Sequence, residues 1–200
     1  LDTLPEQDKP TFADEWIKLR SQTVTHEISQ LLNEYKIGEA AHVLHNFIWS
    51  DYADWYVEIL KIQGSSETAR EVFVNLLKLL HPFMPHLSEL LWKSYQPKEL
   101  LITASWPSLK NPATNDPAQN QMTQFQDIVK TVRSVRSLLN LPSNLEIELN
   151  ISDPPQPTKL IESLCRAALI DSNKIKQKNA IQYPLASGQL ITIQSDNITK

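Results

Sequence analysis

The chain has 200 residues, 41% of them hydrophobic and 21% charged, with a formal net charge of −4. That length fits one large domain or two small ones, and the negative balance argues mildly against strong non-specific nucleic-acid binding while leaving room for a local basic patch. Three glycines against thirteen prolines exclude a P-loop and a GxGxxG dinucleotide fold, and the single cysteine, Cys165, excludes a disulfide framework and a cysteine-rich zinc site.

Residues 1–10 are polar, carry Pro5 and Pro10, and read as a linker. Thr11, followed at the third position by Asp14, predicts a capping-box start to a first helix. Phe12, Trp16, Leu19, Val24, Ile28, Leu31, Leu32 and Tyr35 line one face of that helix, which should end near Lys36. Gly38 falls in a short connection or at the start of a second helix running to about Ile62. Gly64-Ser65-Ser66 breaks it, and Ser66 can cap a third helix, rich in Val72, Phe73, Leu76, Leu77, Leu79 and Leu80. Pro82 and Pro85 force a bend, because each removes a backbone donor and crowds the preceding turn. A fourth helix spans roughly His86 to Tyr95, Ile102 to Pro107 looks extended, and residues 108–120 read as a surface loop. A fifth helix carries Phe125, Ile128, Val129, Val132, Val135 and Leu139 on its apolar face.

The pattern then changes. Leu145 to Ile151 alternates apolar and polar residues at the period of a half-buried strand. Thr158 to Leu169 reads as a helix, and Leu190 to Ile193 as another strand. The fold class expected is therefore mainly α: a bundle of four to five helices over 11–142, then a small α/β subdomain over 143–200. No 18-residue apolar run occurs, so no membrane partner is expected. The N-terminus lacks the pattern of a signal peptide, which with the single apolar-set cysteine fits the cytoplasm. A start at Leu1 rather than Met fits a piece of something longer, or a processed form.

The densest stretch is FIWSDYADWYVEILK, Phe47 to Lys61. Ala40, Leu44, Phe47, Ile48, Trp55 and Ile59 recur at three- and four-residue steps, whereas Asp51, Asp54, Glu58 and Lys61 fall largely elsewhere. Two Trp and two Tyr on one helix predict a large buried anchor with polar handles.

Little here announces bond-making chemistry. Asp54 and Glu58 lie one turn apart without a nucleophile or metal partner and read as helix-face charges. His42 and His45, and His81 and His86, lack a third ligand, so no metal is expected. Cys165 has no base beside it, and neither GxSxG nor HExxH occurs. A binding or structural module is expected. Lys130, Arg133 and Arg136 form a positive run on the fifth helix, either a solvated face or a contact to phosphate, whose oxygens match the arginine fork. Lys174, Lys176 and Lys178 make a smaller cluster.

Three segments, in this order, resemble the valyl-tRNA synthetase family. FADEWI with KIGEAAHVLHNFIWSDYADWYVEILK is similar to the helix pair that opens its anticodon-binding domain. LLKLLHPFMPHLSELLW resembles the Pro-broken helix pair shared by the valine, isoleucine and leucine enzymes of class I. VRSVRSLLNLP with LEIELNI resembles the valine family's arginine-containing helix and the strand after it. DWYVE and HPFMPH favour valine over its siblings, and the likeness covers most of residues 11–195. Some wording departs from the family: Leu138 stands where an acid is common, Ala53 where a cysteine precedes DWY, and WIKLR where WILSR is usual.

The resemblance implies an anticodon-binding helical bundle within an enzyme that attaches valine to its tRNA with ATP. The HIGH and KMSKS signatures are absent from these residues, so no catalytic residue and no cofactor is expected here, and ATP belongs to the parent enzyme. The implied partners are the tRNA anticodon stem-loop and the parent's catalytic and editing domains. Arg133, Arg136 and Lys130 are the first candidates for tRNA contact, with Lys36, Lys61 and Arg70 secondary at helix ends. Alternatives are the corresponding module of an isoleucyl- or leucyl-tRNA synthetase, or a stand-alone helical interaction protein on the same fold.

Overall fold

A computed structural model describes residues 10–96, 98–107, 117–142, 144–175 and 180–194. The linker reading of 1–9, the loop reading of 108–116, and Lys176 and Lys178 lie outside them; residues 117–120, expected in the same loop, instead form the first turn of a helix, because Pro117 suits a helix start. The chain divides into two compact units between Ala118 and Gln119. The switch from helix to strand read near residue 143 thus falls inside the second unit.

The first unit is helical. Helix α1 (Phe12–Asn33) starts as the sequence predicts: Thr11 Oγ1 accepts from the Asp14 backbone N–H, and the Asp14 carboxylate accepts from the Thr11 N–H. It ends in a left-handed turn at Tyr35, φ 59°, where the Lys36 N–H reaches the Leu31 carbonyl at 2.9 Å. Glycine usually occupies that position, because a Cβ is strained there. Tyr35, expected on the apolar face, is instead 89% exposed beyond the helix end. Nothing offsets its strain by packing, so Tyr35→Gly is expected to raise stability by about 1 kcal/mol in urea unfolding.

Helix α2 (Ile37–Asn46) runs directly into a π-helical segment, Phe47–Val57, and then α3 (Glu58–Gln63). The continuous helix to about residue 62 is present, but its middle is wound differently from the α-period read in the sequence. The burial pattern explains the winding. Phe47, Tyr52, Trp55 and Tyr56 are all buried. Nine residues separate Phe47 from Tyr56, about two and a half α-turns, which would set them on opposite sides. With i→i+5 bonding each turn takes nearly one more residue, and the four rings share one side. Trp49 is left on the other, 57% exposed. Gly64, at φ 100°, stops α3.

Ser66 caps α4 (Glu67–Leu80), accepting from the Ala69 N–H. The expected Pro bend comes next, and Pro85 opens α5 (Pro85–Tyr95), where a missing N–H costs nothing. Ser88, wholly buried, bridges His81 Nδ1 and the Met84 carbonyl, which holds the bend. Leu101–Thr103 forms one 3₁₀ turn within a segment expected to be extended, and Trp106 Nε1 donates to Ser29 Oγ on α1. Leu77, Trp92 and Leu101 make a local core with Phe73 against it.

The second unit combines α6 (Pro117–Leu138), from Gln119 onward, with α7 (Thr158–Cys165) and a four-stranded sheet. The strands are β1 (Ile147–Ile151), β2 (Ala167–Leu169), β3 (Ala180–Pro184) and β4 (Leu190–Gln194), in the order β2-β1-β4-β3. β1 runs parallel to β2 and antiparallel to β4, with Leu149 opposite both Leu169 and Ile193. Helix α7 stops at Cys165, because Arg166 turns left-handed at φ 48°, and residues 167–169 pair as a strand. β3 was not anticipated.

Candidate nucleic-acid interface

Helix α6 buries Met122, Phe125, Ile128, Val129, Val132 and Val135, the stripe expected of an amphipathic helix. Lys130, Arg133 and Arg136 stand off that stripe, three residues apart, with Arg136 in the last turn, where a cation also favours the helix dipole. Lys130 and Arg133 are exposed, and Arg136 is half-buried.

Arg136 is covered by the chain's own reversal at the end of α6. Asn140, at φ 48°, turns the backbone, with the Leu141 N–H on the Arg136 carbonyl at 2.9 Å. The returning segment brings carbonyls back to the Arg136 guanidinium. It donates to Leu145 at 2.6 Å, to Pro142 at 2.9 Å and to Cys165 at 3.3 Å. Arg136 thus ties the end of α6 to the entry of β1 and the end of α7. Its charge and that of Arg133 also bear on Cys165. Burial pushes that thiol up to about 12 while the two arginines pull it down. Cys165 stays a neutral buried thiol at physiological pH.

The three secondary candidates lie at separate places in the first unit, each beside an acid. Lys36 meets Glu34 at 2.7 Å, and hydrogen bonding to that carboxylate raises its pKa. Lys61 meets Glu58 at 2.5 Å, and Arg70 lies 3.9 Å from Glu67. Such exposed pairs are weak and exchange readily for other anions. Asp54 is exposed and Glu58 pairs with Lys61, a solvated helix face. Among the described residues no cluster of three His, Cys, Asp or Glu could hold a metal ion, and no helix is long and apolar enough to cross a membrane.

One surface escaped the sequence reading. His42, His45, Asn46 and Trp49 are all exposed along α2 and the π-segment. The His45 and Trp49 rings lie 6.1 Å apart, tilted by 49°, and Asn46 bonds His42 at 3.2 Å. His45 therefore faces solvent rather than the bundle interior. The i, i+3, i+4, i+7 spacing is visible in the sequence, but an α-period that counts both tryptophans as buried masks it.

A family model described as the anticodon-binding domain of tRNA ligase matches residues 14–151. The chain is 31% identical over 202 aligned residues to a protein named valine–tRNA ligase from Geobacillus kaustophilus (strain HTA426), covering 90% of the chain and 23% of that protein. It is 36% identical over 152 residues to the valine–tRNA ligase of Halalkalibacterium halodurans, 70% of the chain and 17% of the relative. Against the valine–tRNA ligase of Lactobacillus johnsonii the figures are 30% over 209 residues, 98% of the chain and 23% of the relative. The chain thus spans less than a quarter of the length of the relatives it matches.

Proposed function

The chain belongs to the anticodon-binding domain family of tRNA ligases, and from that footing we propose that it is the tRNA-reading module of a valine–tRNA ligase. The observation that carries the reading is the family match from the first turn of α1 to the end of β1, joined to relatives that bear the valine name. In this reading the parent enzyme joins valine to its tRNA in the cytoplasm at the expense of ATP. ATP binding, catalysis and editing belong to domains other than this one.

The module's own work is recognition. Anticodon bases are unpaired, so their faces and edges are open to side chains in a way that duplex bases are not. Phosphates flanking them meet cations. Lys130 and Arg133 are assigned that role on α6, with Lys36, Lys61 and Arg70 as secondary contacts. Arg136 supports it from behind, because its three carbonyl partners fix the helix end on which Arg133 stands. Readout in this module then positions the acceptor end of the tRNA in the catalytic core.

Binding of the chain to valine tRNA across a salt series, with and without a mutated anticodon, tests this. Anticodon mutation is expected to abolish binding. The double variant Lys130→Ala, Arg133→Ala is expected to lower affinity for every tRNA and to flatten the log–log salt slope by about 1.4, two single-strand phosphates' worth. An unchanged slope removes the phosphate role. Equal binding to every tRNA, lost with salt, removes the readout. Stronger binding to isoleucine or leucine tRNA moves the chain to a sibling enzyme.

A further inference from the structure

We propose that Trp49, with His42, His45 and Asn46 beside it, is a seat for one unpaired RNA base, stacked on the indole and read along its edge. The proposal rests on the tRNA-reading function above and adds to it a site on a different unit from the α6 cations.

The backbone winding creates the seat. Because the π-segment turns Phe47, Tyr52, Trp55 and Tyr56 into the core, Trp49 faces water with 57% of its surface exposed. An exposed indole offers apolar area with a polar N–H at its edge, and its flat face suits a base of any identity. The surroundings select the kind of cover. A protein docking face is expected to be apolar at its centre. Here Trp49 is the one large exposed hydrophobe between Ile37 and Ile62, and its helical neighbours His42, His45, Asn46 and Ser50 are all exposed and polar. These side chains both donate and accept, as the edge of a base requires. The tilted His45 ring, 6.1 Å from the indole, walls one side of the seat. The bond between Asn46 and His42 holds a polar pair one turn further along. His42 to Trp49 spans roughly 10 Å of helix, room for a base and its ribose.

The local charge points to base rather than phosphate. The stripe from His42 to Trp49 carries no lysine or arginine: exposed carboxylates stand at both its ends, Glu39 one turn before His42 and Asp54 five residues after Trp49, and Lys36 lies a further three residues out, beside Glu39. Carboxylates repel phosphate but accept from the exocyclic amines of bases. The seat should therefore contribute affinity that is insensitive to salt, unlike the α6 cations.

The test uses the full chain, a valine anticodon stem–loop, and a duplex of the same stem without the loop. Trp49→Ala is expected to weaken loop binding about tenfold, and Trp49→Phe, which keeps a stacking face, by no more than about threefold. The salt slope, the duplex affinity and the unfolding midpoint should not move. His45→Ala serves as a second variant, with a smaller loss confined to the loop. If Trp49→Ala and His45→Ala both bind the loop as the wild type does, and the wild type still prefers loop to duplex, the seat is refuted. The tRNA-reading function then survives, and the face is left to a protein partner. A wild type that does not distinguish loop from duplex overturns both.

Discussion

Replacing Trp55 by Ala is expected to cost about 3–5 kcal/mol of stability, a fall of roughly 6–20 °C in the unfolding midpoint. Trp55 is 7% exposed, and Phe47, Tyr52 and Tyr56 are buried from the same π-segment. Tyr52 and Tyr56 are themselves in ring contact, 5.8 Å between centroids. Removing the indole leaves a hole that this aromatic set fills poorly, because the flanking rings are fixed by the same backbone. Trp49→Ala is the matched control. It removes the same side chain six residues earlier, from the solvent side, and is expected to change stability by no more than about 0.5 kcal/mol. Chemical denaturation of both variants reads out the winding. Only the π-arrangement buries Trp55 together with Phe47 and Tyr56 while exposing Trp49. Comparable losses from the two replacements would refute it.

What could be read from the sequence tracked the range of the interaction responsible. The caps at Thr11 and Ser66 were legible, because a cap is a contract between residues three apart. The bend at Pro82 and Pro85 was legible because proline acts on its own turn. The π-winding was not, since Phe47, Ile48, Trp55 and Ile59 satisfy an α-period equally well, and the choice is made by what Tyr52 and Tyr56 meet elsewhere. The early end of α7 was hidden for a similar reason. The run around Cys165 stays apolar, and with few glycines available the chain places Arg166 in the left-handed turn where glycine would have marked the stop. In the site, Lys130 and Arg133 needed only the amphipathic pattern of α6. The engagement of Arg136 depended on carbonyls at Pro142, Leu145 and Cys165, which arrive through the reversal at Asn140.

The second large effect belongs to Asp14, which the sequence marked only as a capping residue. Its carboxylate is 1% exposed and accepts from four neutral donors. These are the Thr11 N–H at 2.7 Å, Thr11 Oγ1 at 2.9 Å, Tyr56 OH at 2.6 Å and Ser66 Oγ at 2.5 Å. Ser66 at the same time accepts from the Ala69 N–H, so the N-termini of α1 and α4 and the end of the π-segment converge on one anion. Both helix ends present positive dipole to it. Asp14→Ala removes the anion and strands the Tyr56 and Ser66 hydroxyls in the interior, and is expected to cost about 3–5 kcal/mol. Tyr56→Phe removes one donor and should cost about 1.5–3 kcal/mol, a milder loss that keeps the fold measurable.

Tyr56 carries a second signature in its titration. Burial, then the bond to Asp14, raises its phenol well above the usual 10, and burial does the same to Tyr52. A raised folded-state pKa contributes stability that is complete below pH 10 and lost above it, where the unfolded chain has already released the proton. Each of these tyrosines should therefore take away about 1.4 kcal/mol per pH unit above about pH 10. Denaturant midpoints measured from pH 8 to 12 are expected to fall less steeply in Tyr56→Phe than in the wild type, so the two curves converge as pH rises. Parallel curves would mean that the Tyr56 hydroxyl is not held in the interior, and that Asp14 does not organise the junction of the three segments.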